Sequence, residues 1–271
     1  MWQQLQDIGG LTYMSRIKNA FNGKKAFIGF ITAGDPSLDK TEEFVLEMER
    51  AGASLVELGI PFSDPVAEGP VIQDANVRAL MAGCTTDKIF DMVTRLRAKT
   101  QIPLVFLAYS NTLYKYGYGQ FCCKCRETGI DGLIIPDMPF EEKNELSGIA
   151  AEYGIDLIPL VSPVSGDRIQ MIAKEAEGFV YIVSSMGVTG IRDEIKTDIQ
   201  SIASKIREVT DVPVAVGFGI NTKEQAAKYI QYADGIIIGS AIVKIVKEYG
   251  DQAGEHIYDY VYGITKAAGI Q

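Results

Sequence analysis

The sequence predicts an α/β protein, a single (β/α)8 barrel with an N-terminal helix, on three observations. Eight apolar runs of strand length recur along the chain, separated by helix-length segments whose apolar residues fall at helical spacing. The runs are apolar on both faces, the pattern of parallel strands covered on each side. The two longest strand-to-strand intervals both follow strand ends, the face on which a barrel builds its active site.

Residues 1–23 read as an amphipathic helix with Met14, Ile17 and Phe21 on one stripe, ending at Asn22 and Gly23, a lid or plug for the barrel. The predicted strands are 26–33, 54–60, 102–109, 131–136, 155–161, 178–184, 212–217 and 233–239. Amphipathic segments at 40–51, 87–99, 141–153, 167–175, 198–208 and 223–232 supply helices between them. About 48 residues separate the starts of the second and third strands, well beyond the other spacings. That surplus and the segment after the sixth strand predict active-site loops at 61–84 and 185–197.

At 271 residues and 47% apolar composition the chain can bury a full core, and no Gly/Ser/Pro-rich linker divides it, so residues 1–271 read as one domain. A net charge of −9 with scattered basic residues argues against nucleic acid and against an anionic membrane surface. The N-terminal residues lack the pattern of a signal peptide and no apolar run reaches membrane-span length, so a cytoplasmic protein is expected. Cys84 stands alone, while Cys122, Cys123 and Cys125 crowd onto one predicted helix with no second cysteine pair to complete a zinc site; they read as structural thiols, and no metal is expected. The single histidine, His256, lies in an amphipathic C-terminal segment. Acid–base chemistry therefore falls to carboxylates, tyrosine or lysine.

Glu57 is the first candidate. With Val56, Leu58 and Ile60 on one side of its strand, Glu57 shares the other with Leu55 and Gly59 and points into the barrel. Loss of solvation there raises its pKa toward neutrality. A loop punctuated by Pro61, Pro65 and Pro70, with Gly59 and Gly69 as hinges, carries Asp64 and Glu68. Either could bring a second carboxylate to the pocket, and spacing alone does not choose between them. Near the C-terminus, 217–220 ends the seventh strand and runs toward Asn221 and Glu224, read as a helix cap, and 239–241 ends the eighth strand and opens another helix. Glycines at helix N-termini suit a phosphate, and Gly187 and Gly190 offer a third arm. Phe30, Leu107, Tyr109, Ile134 and Tyr181 read as core by default, or as the walls of a slot if the substrate carries an aromatic ring.

With those residues in place the chain resembles the tryptophan synthase alpha subunit family. Residues 56–73, VELGIPFSDPVAEGPVIQ, are close to that family's signature, and Gly34-Asp35-Pro36, GVTG at 187–190, GFGI at 217–220 and GSAIV at 239–243 match its other blocks in order. The resemblance implies a TIM barrel that cleaves indole-3-glycerol phosphate, a small phosphate substrate, to indole and glyceraldehyde 3-phosphate. Indole then passes to a beta subunit in an alpha-beta-beta-alpha complex; pyridoxal phosphate is expected on that subunit and no cofactor on this chain. By the same resemblance Glu57 is the acid–base residue, Glu68 stabilises positive charge on the indole nitrogen, Tyr181 supports Glu57, and Thr189 bonds the second carboxylate. Gly190, Phe218, Gly219, Gly239 and Ser240 match the phosphate cradle, and Phe30, Leu107, Tyr109 and Ile134 the indole slot. Pro61, Asp64 and Asn111 fall where the family meets its beta subunit. The family usually carries aspartate at the position of Glu68, a side chain shorter by about 1.5 Å. That departure supports the alternative, a non-catalytic or weakly active ligand-binding regulatory subunit of the same complex.

Overall fold

The computed structural model describes residues 15–183, 198–217 and 219–270. At its centre stand parallel strands β1 (Ala26–Thr32), β2 (Leu55–Gly59), β3 (Leu104–Leu107), β4 (Gly132–Ile134), β5 (Asp156–Leu157), β6 (Leu160–Val161), β7 (Val180–Val183), β8 (Val214–Gly217) and β9 (Gly235–Ile238). Their order is β5-β4-β3-β2-β1-β9-β8-β7-β6. The two ends of that order are halves of one extended stretch, the strand predicted over 155–161. β5 pairs with β4 and β6 with β7. Between them the Ile158 N–H donates to the Leu133 carbonyl at 2.9 Å, and the Pro159 carbonyl accepts from the Tyr181 N–H at 3.0 Å. One stretch thus bonds both neighbours and closes the barrel. The regular pairing breaks at Pro159 because proline has no N–H for a ladder.

Side-chain alternation sorts each strand into two cores. Leu55 of β2 joins Ala26, Ile28, Val105, Ile134, Ile158, Phe179, Ala215 and Ile237 inside the barrel, while Val56, Leu58 and Ile60 pack outward. The outward side chains meet α2 (Leu38–Arg50) and α4 (Thr86–Arg97), whose N-caps Ser37 and Thr85 accept from the backbone N–H of Lys40 and Lys88. The 61–84 segment is a correction to the expected loop. Only its first part is irregular, and α3 (Pro70–Met81) fills the rest, with proline at the first helical position and Ile72, Ala75, Asn76 and Ala79 on its buried face. Two helices, α5 (Ser110–Tyr116) and α6 (Tyr118–Thr128), follow β3, and Cys122 and Cys125 lie buried with Phe121 in the outer core.

The ring continues through α7 (Asn144–Glu152), α8 (Arg168–Lys174) and α9 (Ile199–Arg207) to α10 (Lys223–Tyr229), α11 (Ser240–Tyr249) and α12 (Ala253–Ala267). The cap of α10 is Thr222, one residue beyond the predicted Asn221. Thr222 and Gln225 form a reciprocal capping box, and the Asn221 amide turns back to donate to the Gly219 carbonyl at 2.9 Å. His256 is exposed on α12 and stacks on Tyr249.

The described part of the N-terminal helix is one short turn, Ile17–Ala20, and Met14 lies outside the described residues. This turn is a plug, not a lid. Ile17, Ala20 and Phe21 enter the inner core beside Gly132 and Gly235, the first residues of β4 and β9, so they close the end of the barrel opposite the strand C-termini. Fully buried Asp131 fastens the plug. Its carboxylate accepts from the Arg16 N–H at 2.9 Å, the Arg16 guanidinium at 3.0 Å, Arg97 at 3.1 Å and the Leu104 N–H at 3.0 Å.

Candidate active site

At the strand C-termini lies a cavity of about 680 Å³, counting its open mouth, with Phe30, Glu57, Glu68, Leu107, Tyr181, Gly219, Gly239 and Ser240 on its wall. The sequence-predicted residues from six strand ends and from the segment before α3 meet here.

Glu57 projects from β2, opposite Phe30 of β1 in register. It is 1% exposed, and its Oε1 has no hydrogen-bond partner among the described residues. Burial alone pushes its pKa up to about 8. No cation among the described residues offsets that burial, so near pH 7 the side chain is a neutral carboxylic acid holding a proton against the cavity. Tyr181, on β7, is fully buried beside it. Burial, reinforced by the Glu57 charge, holds the phenol well above its ordinary value. A Cβ at Gly217 would come within 2.5 Å of the Tyr181 hydroxyl, so glycine there makes the room that Tyr181 occupies.

Glu68 is 5% exposed and sits two residues before α3. Burial pushes its pKa up to about 7, against donors from Asn76 and Tyr109 that favour the carboxylate. The Asn76 amide donates to its Oε2 at 2.6 Å, and the Gln73 amide donates to its backbone carbonyl at 2.8 Å. The second carboxylate is therefore bolted to a helix in this structure, where the sequence reading placed it on a mobile loop. Asp64, its rival in sequence, is exposed and accepts from its neighbour Ser63.

Two members of the expected slot take other positions. Ile134 is fully buried in the inner core beneath the cavity and does not face it. Tyr109 stands behind Glu68: its hydroxyl accepts from the Ala67 N–H at 3.2 Å and donates to the Glu68 carboxylate, and its ring stacks on Phe62. Thr189, Gly190 and Phe218, together with the 185–197 segment, lie outside the described residues. Ile72, Pro136, Leu160 and Ile237 complete the apolar wall and were not singled out from sequence. Asn76 was missed as well. Its signal was an amide on the helical stripe of Ile72, Ala75 and Ala79, visible only once 70–81 is recognised as a helix.

On the same cavity, beside Phe30, Gly239 caps the ten-residue helix α11 and Ser240 opens it. The first N–H groups of a helix have no intrahelical acceptor and the helix dipole is positive there, which favours an anion at this wall. Pro61 is buried at the exit of β2, while Asp64 and Asn111 are exposed at the same end of the barrel.

A closed parallel barrel whose cavity is lined by two buried carboxylates, apolar side chains and a helix N-terminus has the makeup of an acid–base barrel enzyme for a phosphorylated substrate. The family model described as "Tryptophan synthase alpha chain" matches residues 17–266. The tryptophan synthase alpha chain of Lacticaseibacillus casei is 50% identical over 254 residues, covering 94% of this chain and 96% of the relative. The crystal structure of the Legionella pneumophila alpha chain superposes with a TM-score of 0.84 at 31% identity, covering 95% of this chain and 98% of that one. A chain of the tryptophan synthase a2b2 complex of Pyrococcus furiosus superposes at 0.81 with 32% identity, covering 90% and 99%. The chain belongs to the tryptophan synthase alpha chain family.

Proposed function

We propose that this chain cleaves indole-3-glycerol phosphate to indole and D-glyceraldehyde 3-phosphate, the lyase half-reaction of tryptophan synthase in L-tryptophan biosynthesis. The observation that carries the reading is the pair of buried carboxylates in one cavity, Glu57 raised to about 8 and Glu68 to about 7. Two like groups in different surroundings divide into acid and base. Glu57, protonated at neutral pH, gives its proton to the indole ring carbon that bears the glycerol chain. The resulting cationic ring is stabilised at its nitrogen by ionised Glu68. Glu57, now a carboxylate, takes the proton of the adjacent glycerol hydroxyl; the carbon–carbon bond breaks, its electron pair returns to the ring, and the hydroxyl carbon becomes the aldehyde. One proton enters and one leaves, so Glu57 ends as it began.

Tyr181 supports Glu57 from β7. Phe30, Leu107, Ile72 and Leu160 form the apolar slot for the ring, and Gly219, Gly239 and Ser240 receive the phosphate, with Thr189, Gly190 and Phe218 assigned to the same site by motif. Tyr109 serves behind Glu68, and Ile134 forms the floor below the slot.

The partner is a beta subunit that carries pyridoxal phosphate and consumes the indole. This rests on the assembly of the Pyrococcus furiosus relative and on the mouth of the barrel, where Val66 and Tyr114 are 70% and 75% exposed near Asp64 and Asn111. Exposed apolar side chains of that size in one region favour a protein partner over water. No helix among the described residues is long and apolar enough to cross a membrane; a cytoplasmic location accords with the biosynthetic role.

The test is indole release from indole-3-glycerol phosphate by the purified chain, with and without a beta subunit. Glu57→Ala is expected to abolish it, and turnover by Glu57→Ala at the parental rate refutes the assignment.

A further inference from the structure

Glu68 is held more completely than a solvated loop carboxylate needs. Its backbone carbonyl is bound by Gln73, its carboxylate by Asn76 at 2.6 Å, and the residue before it by the Tyr109 hydroxyl. Gln73 and Asn76 stand three residues apart on α3 and share one face of it. That helix is itself pinned. Arg78 grips Asp35, at the exit of β1, through two bonds of 2.8 and 2.6 Å, and Lys247 of α11 pairs with Asp74 at 2.7 Å. Asn76 is 3% exposed, so its amide is committed to the protein interior.

The choice of donor is informative. The titratable groups around the Glu68 carboxylate are Tyr109 behind it and Glu57 and Tyr181 on the same cavity, and no lysine or arginine pairs with it among the described residues. A cation at position 76 would neutralise the carboxylate and remove its ability to answer a positive charge forming on the substrate. A neutral amide fixes the direction of the carboxylate and leaves its charge available.

Resting on the lyase reading above, we propose that Asn76 is the positioning residue for the second carboxylate: its amide sets where the longer Glu68 side chain presents its charge to the substrate, and the pair is matched in length. A carboxylate at 68 shortened by one methylene falls about 1.5 Å short of the amide. An amide at 76 lengthened by one methylene overshoots it by a similar amount. Glu68→Asp and Asn76→Gln together restore the reach. Asn76 touches no substrate atom in this scheme; it acts through Glu68.

Four variants test this in indole release across pH 5 to 10: Asn76→Ala, Asn76→Gln, Glu68→Asp, and the double exchange Glu68→Asp/Asn76→Gln. Asn76→Ala is expected to lower kcat about tenfold with KM within about twofold, since a bond to a charged group is lost. Removing a donor that favours the carboxylate raises the Glu68 pKa, so the acidic limb of the profile moves to higher pH while the alkaline limb, set by Glu57, stays. Each single length change is expected to lose activity, and the double exchange to recover most of it. Unchanged kcat and an unchanged acidic limb in Asn76→Ala, or a double exchange no better than the product of its singles, overturns the proposal. Should Asn76→Ala fail to fold, the double exchange, which creates no cavity, decides the matter. If the parent releases no indole, the lyase reading fails on its own account. Positioning is then read from the Glu68 carboxyl by 13C NMR titration, expected to shift upward in Asn76→Ala and in Asn76→Gln relative to the parent; no shift overturns it.

Discussion

Replacing Glu57 by glutamine is expected to abolish turnover and, at the same time, to stabilise the protein by an amount that grows with pH. The native carboxyl titrates at about 8, against an ordinary value of 4.5 that serves for the unfolded chain. Below pH 4.5 both states carry the proton and the group is neutral toward stability. As pH rises, the unfolded chain ionises first while the folded chain keeps its proton, so stability falls until the native group also ionises. At ~1.4 kcal/mol per pH unit the loss is about 1 kcal/mol at pH 5, about 3 at pH 7 and about 5 at pH 9. Glutamine fills the same volume, carries no charge in either state and suffers none of this loss. Urea unfolding of parent and Glu57→Gln at pH 5, 7 and 9, followed by circular dichroism, measures the difference directly. The variant should gain roughly 4 kcal/mol relative to the parent between pH 5 and 9. A difference constant to within about 1 kcal/mol over that range refutes the claim that Glu57 is held neutral by burial.

The remaining predictions concern the frame of the site. Glu68→Asp should lower the rate of indole release about tenfold by breaking the bond to Asn76, as read in steady-state kinetics; an equal or higher rate refutes the matched length of that pair. Gly59→Ala puts a Cβ 2.7 Å from the Phe30 ring. It should cost about 1–3 kcal/mol in urea unfolding and raise KM by driving that ring into the slot. Asp131→Ala removes the carboxylate shared by Arg16, Arg97 and a strand N–H, leaving the two guanidinium groups to backbone carbonyls such as that of Gly129, and should cost about 3–5 kcal/mol, with the plug opening first in amide exchange at Ile17 and Phe21. Between pH 6 and 9 the parental kcat profile should be a narrow bell, rising with ionisation of Glu68 near 7 and falling with loss of the Glu57 proton near 8. A flat profile over that range excludes the assigned acid and base.

Much of this was readable from residue order because the forces concerned are local. Alternation along Leu55, Val56, Glu57, Leu58 places Glu57 inside the barrel from order alone, since successive side chains of a strand must face opposite ways. Strand-length runs apolar on both faces marked the parallel ring, and glycines at 219 and 239 marked the wall proposed to receive the phosphate. The proline-rich 61–84 segment misled in part: prolines and glycines signal loops, yet Pro70 at a first helical position starts α3. What tertiary structure alone decided are relations between residues far apart in the chain. Only packing shows that Pro159 splits a strand whose halves bond opposite neighbours, and that residues 17–21 plug the far end of the barrel through Asp131, more than a hundred residues away. Between Asp64 and Glu68, equal in charge and close in sequence, the choice rests on burial and on Asn76, which only the folded helix brings within 2.6 Å. Periodicity is a property of neighbours along the chain, and it dictates which way a side chain faces; what that side chain meets depends on the closure of the whole barrel.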